Sequence, residues 1–401
     1  MASKENIFKT ARMKNFVVFS LARWSVEYGC NIRDICIELA KHHRVLYVDV
    51  PLKRKDRWFK RQRFDVREVE ERISKGQQLI ELAPNLWHYI DDSLLESVNT
   101  ISNSFLFDVL NRINNKRFAC AIQRGANAVG FDSFTLLNDN AIYDGLYLRK
   151  YLRVEKIVYY LRDRLPAMSY WKLHAGRLEP EIIKDADVVF TNSVYLSEYA
   201  KTWNVNSYYV GQGCDINHFL SPPASGLSER MLIDLKRPIV GYIGALNAER
   251  LDVQLIFDVA SHLNEYSFVL IGKEDTVFKN SVLHTLNNVY FLGAKEFSDL
   301  PAYLYSFDVA INPQIVNDIT VGNYPRKVDE YLAAGIPVVA TRTLTMEAFK
   351  DHVYLGEGSA EYVTLINRAI SENSTVLQQM RKQFASNHTW ENSVKQMLIH
   401  I

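Results

Sequence analysis

The sequence predicts an α/β protein made of two Rossmann-like, doubly wound halves. Its 401 residues exceed what a single hydrophobic core usually supports. Short apolar runs alternate with longer amphipathic stretches, which is typical of parallel strands joined by helices. The alternation stops between residues 211 and 238, where glycine and proline predict a connector, and then resumes. We therefore expect two halves facing each other across a cleft, with ligands at the carboxyl ends of the strands.

In the first half, apolar runs predict strands at Asn15–Ser20, Arg44–Val50, Lys156–Leu161, Asp187–Thr191 and Ser207–Val210. Amphipathic stretches predict helices at Asn31–His42, Arg177–Lys184 and Tyr195–Thr202. Cores such as Val-Val-Phe suit parallel strands that are buried on both faces.

In the second half, the predicted strands are Ile239–Ile243, Ser267–Ile271, Val289–Leu292, Asp308–Asn312 and Pro337–Thr341. The predicted helices are Leu251–Leu263, Pro325–Ala334 and a helical tail from Ala360. Each half thus repeats the same strand–helix unit, as doubly wound sheets do.

Charge and hydropathy exclude several classes of protein. Lys and Arg number 47 against 46 Asp and Glu, so no overall field favours nucleic acid as a partner. The stretch Met1–Phe16 has no apolar core typical of a signal peptide, and no window approaches 18 uninterrupted apolar residues. We expect a cytoplasmic protein that does not span a membrane.

The segment Lys53–Arg63 is strongly basic. Seven of its eleven residues are Lys or Arg, and Trp58, Phe59 and Phe64 lie within or beside it. Two interpretations stay open: a solvated charged face, or peripheral contact with anionic lipid head groups.

The stretch Gly322–Thr341 is the most informative part of the chain. Pro325 fits a first helical turn, and Gly335 fits the end of that helix. Free N–H groups and the positive dipole end of such a helix suit a diphosphate. Lys327 can add a charge on the phosphates, and Glu330 can accept hydrogen bonds from ribose hydroxyls. The alternative for Glu330 is an ordinary surface pair with Arg326, four residues before it.

This stretch closely resembles the nucleotide-sugar signature of family 4 glycosyltransferases, Pro-x-Lys-x-x-Glu-Tyr-x-Ala-x-Gly-x-Pro-Val-Val. Further stretches resemble that family in the expected order: Asp185–Ser193, Gly213–Asp215, Gly241–Ala245, Ser267–Gly272, Val289–Gly293, Asp308–Pro313 and His388–Glu391. The likeness covers the C-terminal half well and the N-terminal half loosely.

The resemblance implies a GT-B fold and a glycosyltransferase, of the hexosyltransferase class, that retains anomeric configuration. It implies an acceptor-binding domain at residues 1–220, a nucleotide-sugar domain at 221–387, and a final helix at 388–401 that packs back on the first domain. The donor is a nucleotide-diphosphate sugar, the acceptor a glycan or lipid-linked molecule, and no metal or other cofactor takes part. The implied donor-binding residues are Gly244, Gly293, Tyr324, Pro325, Lys327 and Glu330.

One departure from the family affects the sugar. Many retaining members carry Glu-x7-Glu, and counting back from Glu330 places the first position at Gly322. The first glutamate is therefore missing, which leaves the contacts to the donor sugar open.

Three further candidates follow strands. Arg250, after the first strand of the second half, can contact phosphate oxygens with its forked guanidinium or be an ordinary helix-start residue. Asp163, at the end of Lys156–Leu161, can position the acceptor hydroxyl or form a salt bridge with Arg162 or Arg164. The segment Trp24–Gly29 lies where acceptors bind in this fold.

Asp185-Ala186-Asp187 has the spacing of a metal-binding pair but falls at a helix-to-strand junction. We interpret it as structural and expect no metal. Two other functions compete with a transferase: a sugar-nucleotide epimerase of GT-B shape, and a sugar-nucleotide-binding protein without catalysis. Turnover of a sugar nucleotide without any acceptor would favour the epimerase.

Overall fold

The computed structural model describes residues 13–25, 30–223 and 232–401, which form two compact units. Unit 1 comprises the residues up to Asn192 together with 196–210 and 394–401, and unit 2 comprises 193–195 and 211–393. The chain thus divides near residues 210 and 393, whereas the sequence analysis placed the divisions after 220 and 387. Residues 224–231 of the predicted connector lie outside the described residues.

Unit 1 is built on an eight-stranded sheet. Its strands are β1 (Asn15–Ser20), β2 (Arg44–Val48), β3 (Leu79–Ala83), β4 (Leu86–Tyr89), β5 (Thr135–Asp139), β6 (Lys156–Leu161), β7 (Val188–Thr191) and β8 (Ser207–Tyr209). Their order in the sheet is β3-β4-β2-β1-β5-β6-β7-β8. All neighbours are parallel except β3 and β4. The predicted parallel α/β fold is confirmed for this half of the chain.

The helices before β9 are α1 (Asn31–Ala40), α2 (Arg54–Phe59), α3 (Phe64–Ser74), α4 (Ser104–Ala128), α5 (Ile142–Gly145), α6 (Ala175–Asp185), α7 (Val194–Lys201) and α8 (Asn217–Leu220). Short 3-10 turns lie at Leu148–Lys150 and Leu165–Ala167. No helix or strand was predicted from the sequence between Lys53 and Gly145. Helix α4 shows why: its buried face carries Asn111 and Asn115, while Phe105 and Val109 are exposed.

Unit 2 has a six-stranded, fully parallel sheet in the order β11-β10-β9-β12-β13-β14. The strands are β9 (Ile239–Ile243), β10 (Ser267–Ile271), β11 (Val289–Gly293), β12 (Val309–Asn312), β13 (Val338–Thr341) and β14 (Tyr354–Gly356). Gly241 of β9 lies opposite Val269 of β10 and Ala310 of β12. The strand order therefore reverses between β9 and β12, where ligands bind in open α/β sheets.

The remaining helices are α9 (Val253–His262), α10 (Thr276–Lys279), α11 (Leu300–Leu304), α12 (Arg326–Ala333), α13 (Gly358–Ser371), α14 (Thr375–Ala385) and α15 (Trp390–Ile399). Short 3-10 turns lie at Val282–Thr285, Phe297–Asp299 and Met346–Phe349. Among the described helices, none has both the length and the apolar character needed to cross a bilayer.

Helix α12 packs on the sheet of unit 2 through the apolar stripe that the sequence predicted. Val328, Tyr331 and Leu332 have no exposed surface. The helix ends two residues before Gly335, whose φ of +80° is a conformation that glycine adopts at little cost. This geometry orients the N-terminal turn of α12 toward the carboxyl ends of β9 and β12.

A buried carboxyl group in unit 1 holds the segment that follows β6. Glu179 of α6 is fully buried, and its carboxylate accepts a hydrogen bond of 2.7 Å from the Tyr199 hydroxyl. The Arg164 guanidinium lies 3.6 Å from the same oxygen. Burial raises the pKa of Glu179 to about 7, with Tyr199 and Arg164 opposing the shift.

We predict that Glu179→Gln removes a pH-dependent loss of stability. Because the folded-state pKa lies above the ordinary 4.5, the contribution of Glu179 is fully present below pH 4.5 and is lost as pH rises through 7. The free energy of unfolding of the variant should therefore rise relative to wild type between pH 5 and 8, by up to about 3 kcal/mol. Urea denaturation across this range measures the difference.

The matched control is Glu181→Gln, which removes an exposed carboxylate from the same helix. Its difference from wild type should stay flat across the same pH range. An equally flat difference for Glu179→Gln would contradict the prediction.

Candidate functional site

Tyr331 fixes α12 against the end of β9. Its hydroxyl accepts a hydrogen bond from the Ile243 N–H at 2.8 Å and donates one to the Ile243 carbonyl at 3.1 Å. Because the phenol is fully buried, both bonds form away from water. The helix and the strand end that flank the candidate phosphate site are thereby held in one geometry.

Asp329 fixes the loop that precedes α12. Its carboxylate is fully buried and accepts hydrogen bonds from the Tyr324 hydroxyl at 2.8 Å and from Nδ1 of His388 at 2.6 Å. Burial raises the pKa of Asp329, and its hydrogen bond with His388 opposes that shift. Tyr324, a predicted nucleotide-binding residue, thus donates its hydroxyl hydrogen to Asp329. Its main chain is the part that can contact a nucleotide.

The sequence analysis did not assign Asp329 or His388 to the site. A weak signal was present, because Asp329 directly follows Val328 inside the apolar face of α12. A carboxylate on a buried face needs a partner. His388 lies 59 residues away, and nothing in the local pattern identifies it as that partner.

Lys327 lies next to the end of β9. Its ammonium donates a hydrogen bond to the Tyr242 hydroxyl and lies 4.2 Å from the centre of the Tyr242 ring. A Cβ atom on Gly244 would lie only 2.8 Å from the Lys327 Nζ. The absence of a side chain at Gly244 therefore leaves room for this cation beside the strand end. The structure brings together these two predicted residues, and their function remains a prediction.

Gly244 also approaches the neighbouring strand closely. A Cβ atom on Gly272, where φ is +153°, would lie 1.8 Å from the Gly244 carbonyl oxygen. The Gly272 N–H donates to the carbonyl of Gly293 at 3.0 Å. The predicted residue Gly293 therefore supports the ends of β10 and β9 through the main chain.

Glu330 forms the ion pair with Arg326 that the sequence analysis held as an alternative, at 3.3 Å. Only 13% of the Glu330 side chain is exposed, so the pair is not an ordinary surface pair. Burial raises the pKa of Glu330, and the charges of Arg326 and Lys327 oppose the shift. Pro325 immediately precedes the helix as its N-cap residue.

The loop that carries Arg250 pairs with the loop after β12. The Arg250 carbonyl accepts from the Ile315 N–H at 3.0 Å, and the Asp252 N–H donates to the Pro313 carbonyl at 2.9 Å. Within the described ranges, the Arg250 guanidinium makes no ion pair within 4.0 Å. Its main chain is thus fixed at the edge where β9 and β12 end, while its charge is available.

Asp163 forms one of the two salt bridges considered from the sequence as the alternative to a role with the acceptor. Its carboxylate pairs with Arg162 at 3.1 Å, and Arg162 also donates to the buried Asp139 at 2.8 Å. The Asn140 amide donates to the Asp163 carbonyl at 3.2 Å. A role for Asp163 with the acceptor remains a prediction.

The remaining first-half candidates have structural partners or lie outside the described residues. The two carboxylates of Asp185 and Asp187 pair with Arg149 at 3.3 and 3.0 Å, which agrees with the structural interpretation. Of the predicted acceptor segment, residues 26–29 lie outside the described residues, and the Trp24 N–H donates to Asp49 at 3.1 Å. In the part of the chain that the structure describes, no three His, Cys, Asp or Glu side chains form a group that could hold a metal ion.

Part of the second unit is similar to a known family. Residues 237–370 match the family model of the glycosyl transferases group 1. The chain is 25% identical over 169 residues to TuaH of Bacillus subtilis (strain 168), a protein named as a putative teichuronic acid biosynthesis glycosyltransferase. That alignment covers 40% of this chain and 42% of the length of the relative.

Solved structures resemble the chain over almost its whole length. Sucrose-phosphate synthase from Thermosynechococcus elongatus has a TM-score of 0.68 at 14% identity, covering 96% of this chain and 98% of its own. Alr3699/HepE of Anabaena, in complex with UDP and glucose, has a TM-score of 0.65 at 15% identity with the same coverage. These likenesses confirm the GT-B fold, and residues 237–370 resemble the group 1 glycosyltransferases.

Proposed function

We propose that the chain is a glycosyltransferase that moves a sugar from a nucleotide-diphosphate sugar to a glycan or lipid-linked acceptor. The observation that carries the proposal is the position of the Lys327 ammonium beside Gly244, at the point where the strand order of unit 2 reverses. The N-terminus of α12 lies at the same edge of the sheet. All the candidate donor-binding residues fall within the region that matches the family model.

The proposed chemistry rests on positive groups held in place before the reaction. As the bond between the sugar and the diphosphate breaks, negative charge develops on the diphosphate. Lys327, the N–H groups at the start of α12 and the guanidinium of Arg250 stabilise that charge. Glu330 accepts hydrogen bonds from the ribose. Its burial and its pairing with Arg326 hold the carboxylate in one orientation.

The class of donor has support from the neighbours. The Alr3699/HepE structures are complexes with UDP, with UDP and glucose, and with UDP-glucose. The name of TuaH supports a polysaccharide product. Retention of anomeric configuration and departure of the diphosphate without a metal are implied by the resemblance to family 4.

We predict that Lys327→Ala cripples turnover and that Glu330→Ala weakens nucleotide binding, while both variants stay folded. Each change removes a charge-assisted hydrogen bond worth roughly 1.5–3 kcal/mol, or about one to two decades. Steady-state kinetics and calorimetry with the best-binding sugar nucleotide measure the effects. Lys279→Ala, which removes an exposed lysine of the same unit, is the control and should match wild type. Near-wild-type behaviour of both site variants would show that the donor binds elsewhere.

We predict that turnover survives EDTA, because protein charges neutralise the departing diphosphate in the proposed mechanism. Rates are compared in EDTA, in Mg²⁺ and in Mn²⁺ with the same donor and acceptor. Complete loss in EDTA that either ion restores would contradict a metal-independent mechanism.

Acceptor binding in unit 1 is supported by a cavity of about 590 Å³ at the ends of β1 and β2. It is lined by Ser20, Arg23, Asp56, Asp144, Tyr170 and Trp171, among others. Aromatic faces with carboxylates and an arginine can contact both the rings and the hydroxyl groups of a sugar.

The basic segment Lys53–Arg63 lies at the same cavity, and its charges are mostly compensated. Five of the seven basic residues form ion pairs, namely Lys53, Arg54, Arg57, Lys60 and Arg63. By contrast, Trp58, Phe59 and Phe64 are 59%, 78% and 59% exposed. Peripheral contact with an anionic membrane is therefore proposed to depend on these aromatic rings, with a smaller electrostatic contribution.

We predict that Trp58→Ser/Phe59→Ser abolishes binding to anionic vesicles, whereas Trp203→Ser, at another exposed tryptophan, does not. Each unpaired basic residue near an anionic surface contributes about 1 kcal/mol, so Lys55 and Arg61 together give a weak salt dependence. Co-sedimentation with anionic and neutral vesicles at low and high salt measures both effects. If wild type ignores anionic vesicles even at low salt, the segment is only a solvated face.

A further inference from the structure

A second cavity lies at the opposite edge of unit 2 from β11. It has a volume of about 400 Å³ and is formed by β14, α13, α14 and the segment before β14. Its basic lining residues are Arg342, Lys350, Arg368 and Arg381, and its acidic ones are Asp351 and Glu372. None of its lining residues belongs to the proposed donor site, which lies three strands away beside β9.

Arg381 is a buried cation whose side chain donates hydrogen bonds to two neutral acceptors. Only 3% of the residue is exposed, and its Nη1 donates to the Gly335 carbonyl at 2.7 Å and to the Asn373 amide oxygen at 3.0 Å. In the described part of the chain, no carboxylate lies within 4.0 Å of this guanidinium. Burying an uncompensated charge is unfavourable, so an anion in the cavity would stabilise this arrangement.

The other charges of the cavity leave a positive excess. Arg368 pairs with Glu372 at 2.7 Å. Arg342 pairs with Glu347 at 3.0 Å and with Glu357 at 3.7 Å, and neither of these glutamates lines the cavity. Lys350 is exposed and makes no ion pair with the described residues. Arg342 and Arg368 are thus each paired, which leaves Lys350 and the buried Arg381 against the single carboxylate of Asp351 among the lining charges.

We propose that this cavity binds a phosphate-bearing small molecule. A guanidinium offers parallel N–H groups that match phosphate oxygens, and a lysine adds a point charge. Leu365, Leu377 and Met380 also line the cavity, and such apolar surface suits the carbon skeleton of an organic phosphate. The volume is within the range of small-molecule sites and exceeds what a bare phosphate needs.

A ligand in this cavity would contact the end of helix α12 that lies opposite the proposed nucleotide-sugar site. Gly335, whose carbonyl receives the Arg381 hydrogen bond, follows the C-terminal end of α12. A ligand held by Arg381 would therefore support the helix whose other end carries Lys327.

Thermal unfolding with increasing inorganic phosphate or hexose 6-phosphate tests the proposal, with KCl of equal ionic strength as reference. Lys350→Gln removes a lining charge that has no ion pair to lose, so the variant should fold normally. Lys279→Gln removes an exposed lysine of α10 and is matched in charge. We expect the apparent Kd for phosphate to rise about tenfold in Lys350→Gln and to stay unchanged in Lys279→Gln.

The variant Lys327→Ala distinguishes phosphate binding in this cavity from phosphate binding at the donor site, which is itself proposed to bind phosphate groups. We expect Lys327→Ala to keep the wild-type stabilisation by phosphate, which is weakened in Lys350→Gln. A stronger effect of hexose 6-phosphate would indicate an organic ligand, and equal effects would indicate phosphate itself. Loss in Lys327→Ala with full retention in Lys350→Gln would overturn the proposal, as would no stabilisation beyond that of KCl.

Discussion

The two hydrogen bonds between the Tyr331 hydroxyl and the main chain of Ile243 hold the candidate donor site together. They join helix α12, which carries Lys327, to the end of β9, which Gly244 directly follows. Lys327 is one turn before Tyr331, so its ammonium reaches the space beside Gly244 only while the helix keeps this position. A hydroxyl that donates and accepts at once fixes both the distance and the rotation of the helix.

Two kinds of group surround this junction. Buried polar groups have hydrogen-bond partners within the protein, whereas the cations are available to a ligand. Asp329 accepts hydrogen bonds from Tyr324 and His388, and these bonds hold the loop before α12. Arg250 is held by main-chain bonds and keeps its charge unpaired within the described residues. Such preorganised positive groups, fixed before substrate arrives, suit a reaction in which a diphosphate leaves.

Sequence reasoning predicted the parts of the fold whose patterns are local. Continuous apolar runs revealed β9, β10, β12 and β13, and the stripe on α12 with Gly335 after it revealed the helix and its end. The prediction failed to assign elements where packing inverts the usual pattern, as in α4 with its buried asparagines. It also missed the pairing of His388 with Asp329, because contacts between residues 59 apart are set by topology and leave no periodic signal. The charge of Lys53–Arg63 was overestimated for a related reason, since several of its acidic partners come from distant parts of the chain.

We propose that a nucleoside diphosphate binds between the loop after β9 and the start of α12. Amide hydrogen exchange, with and without the nucleoside diphosphate that binds most tightly, tests it most directly. We expect slower exchange in residues 244–252 and 322–333, with little change in the strands of unit 1. A diphosphate that binds yet leaves exchange in both segments unchanged would show that it binds elsewhere.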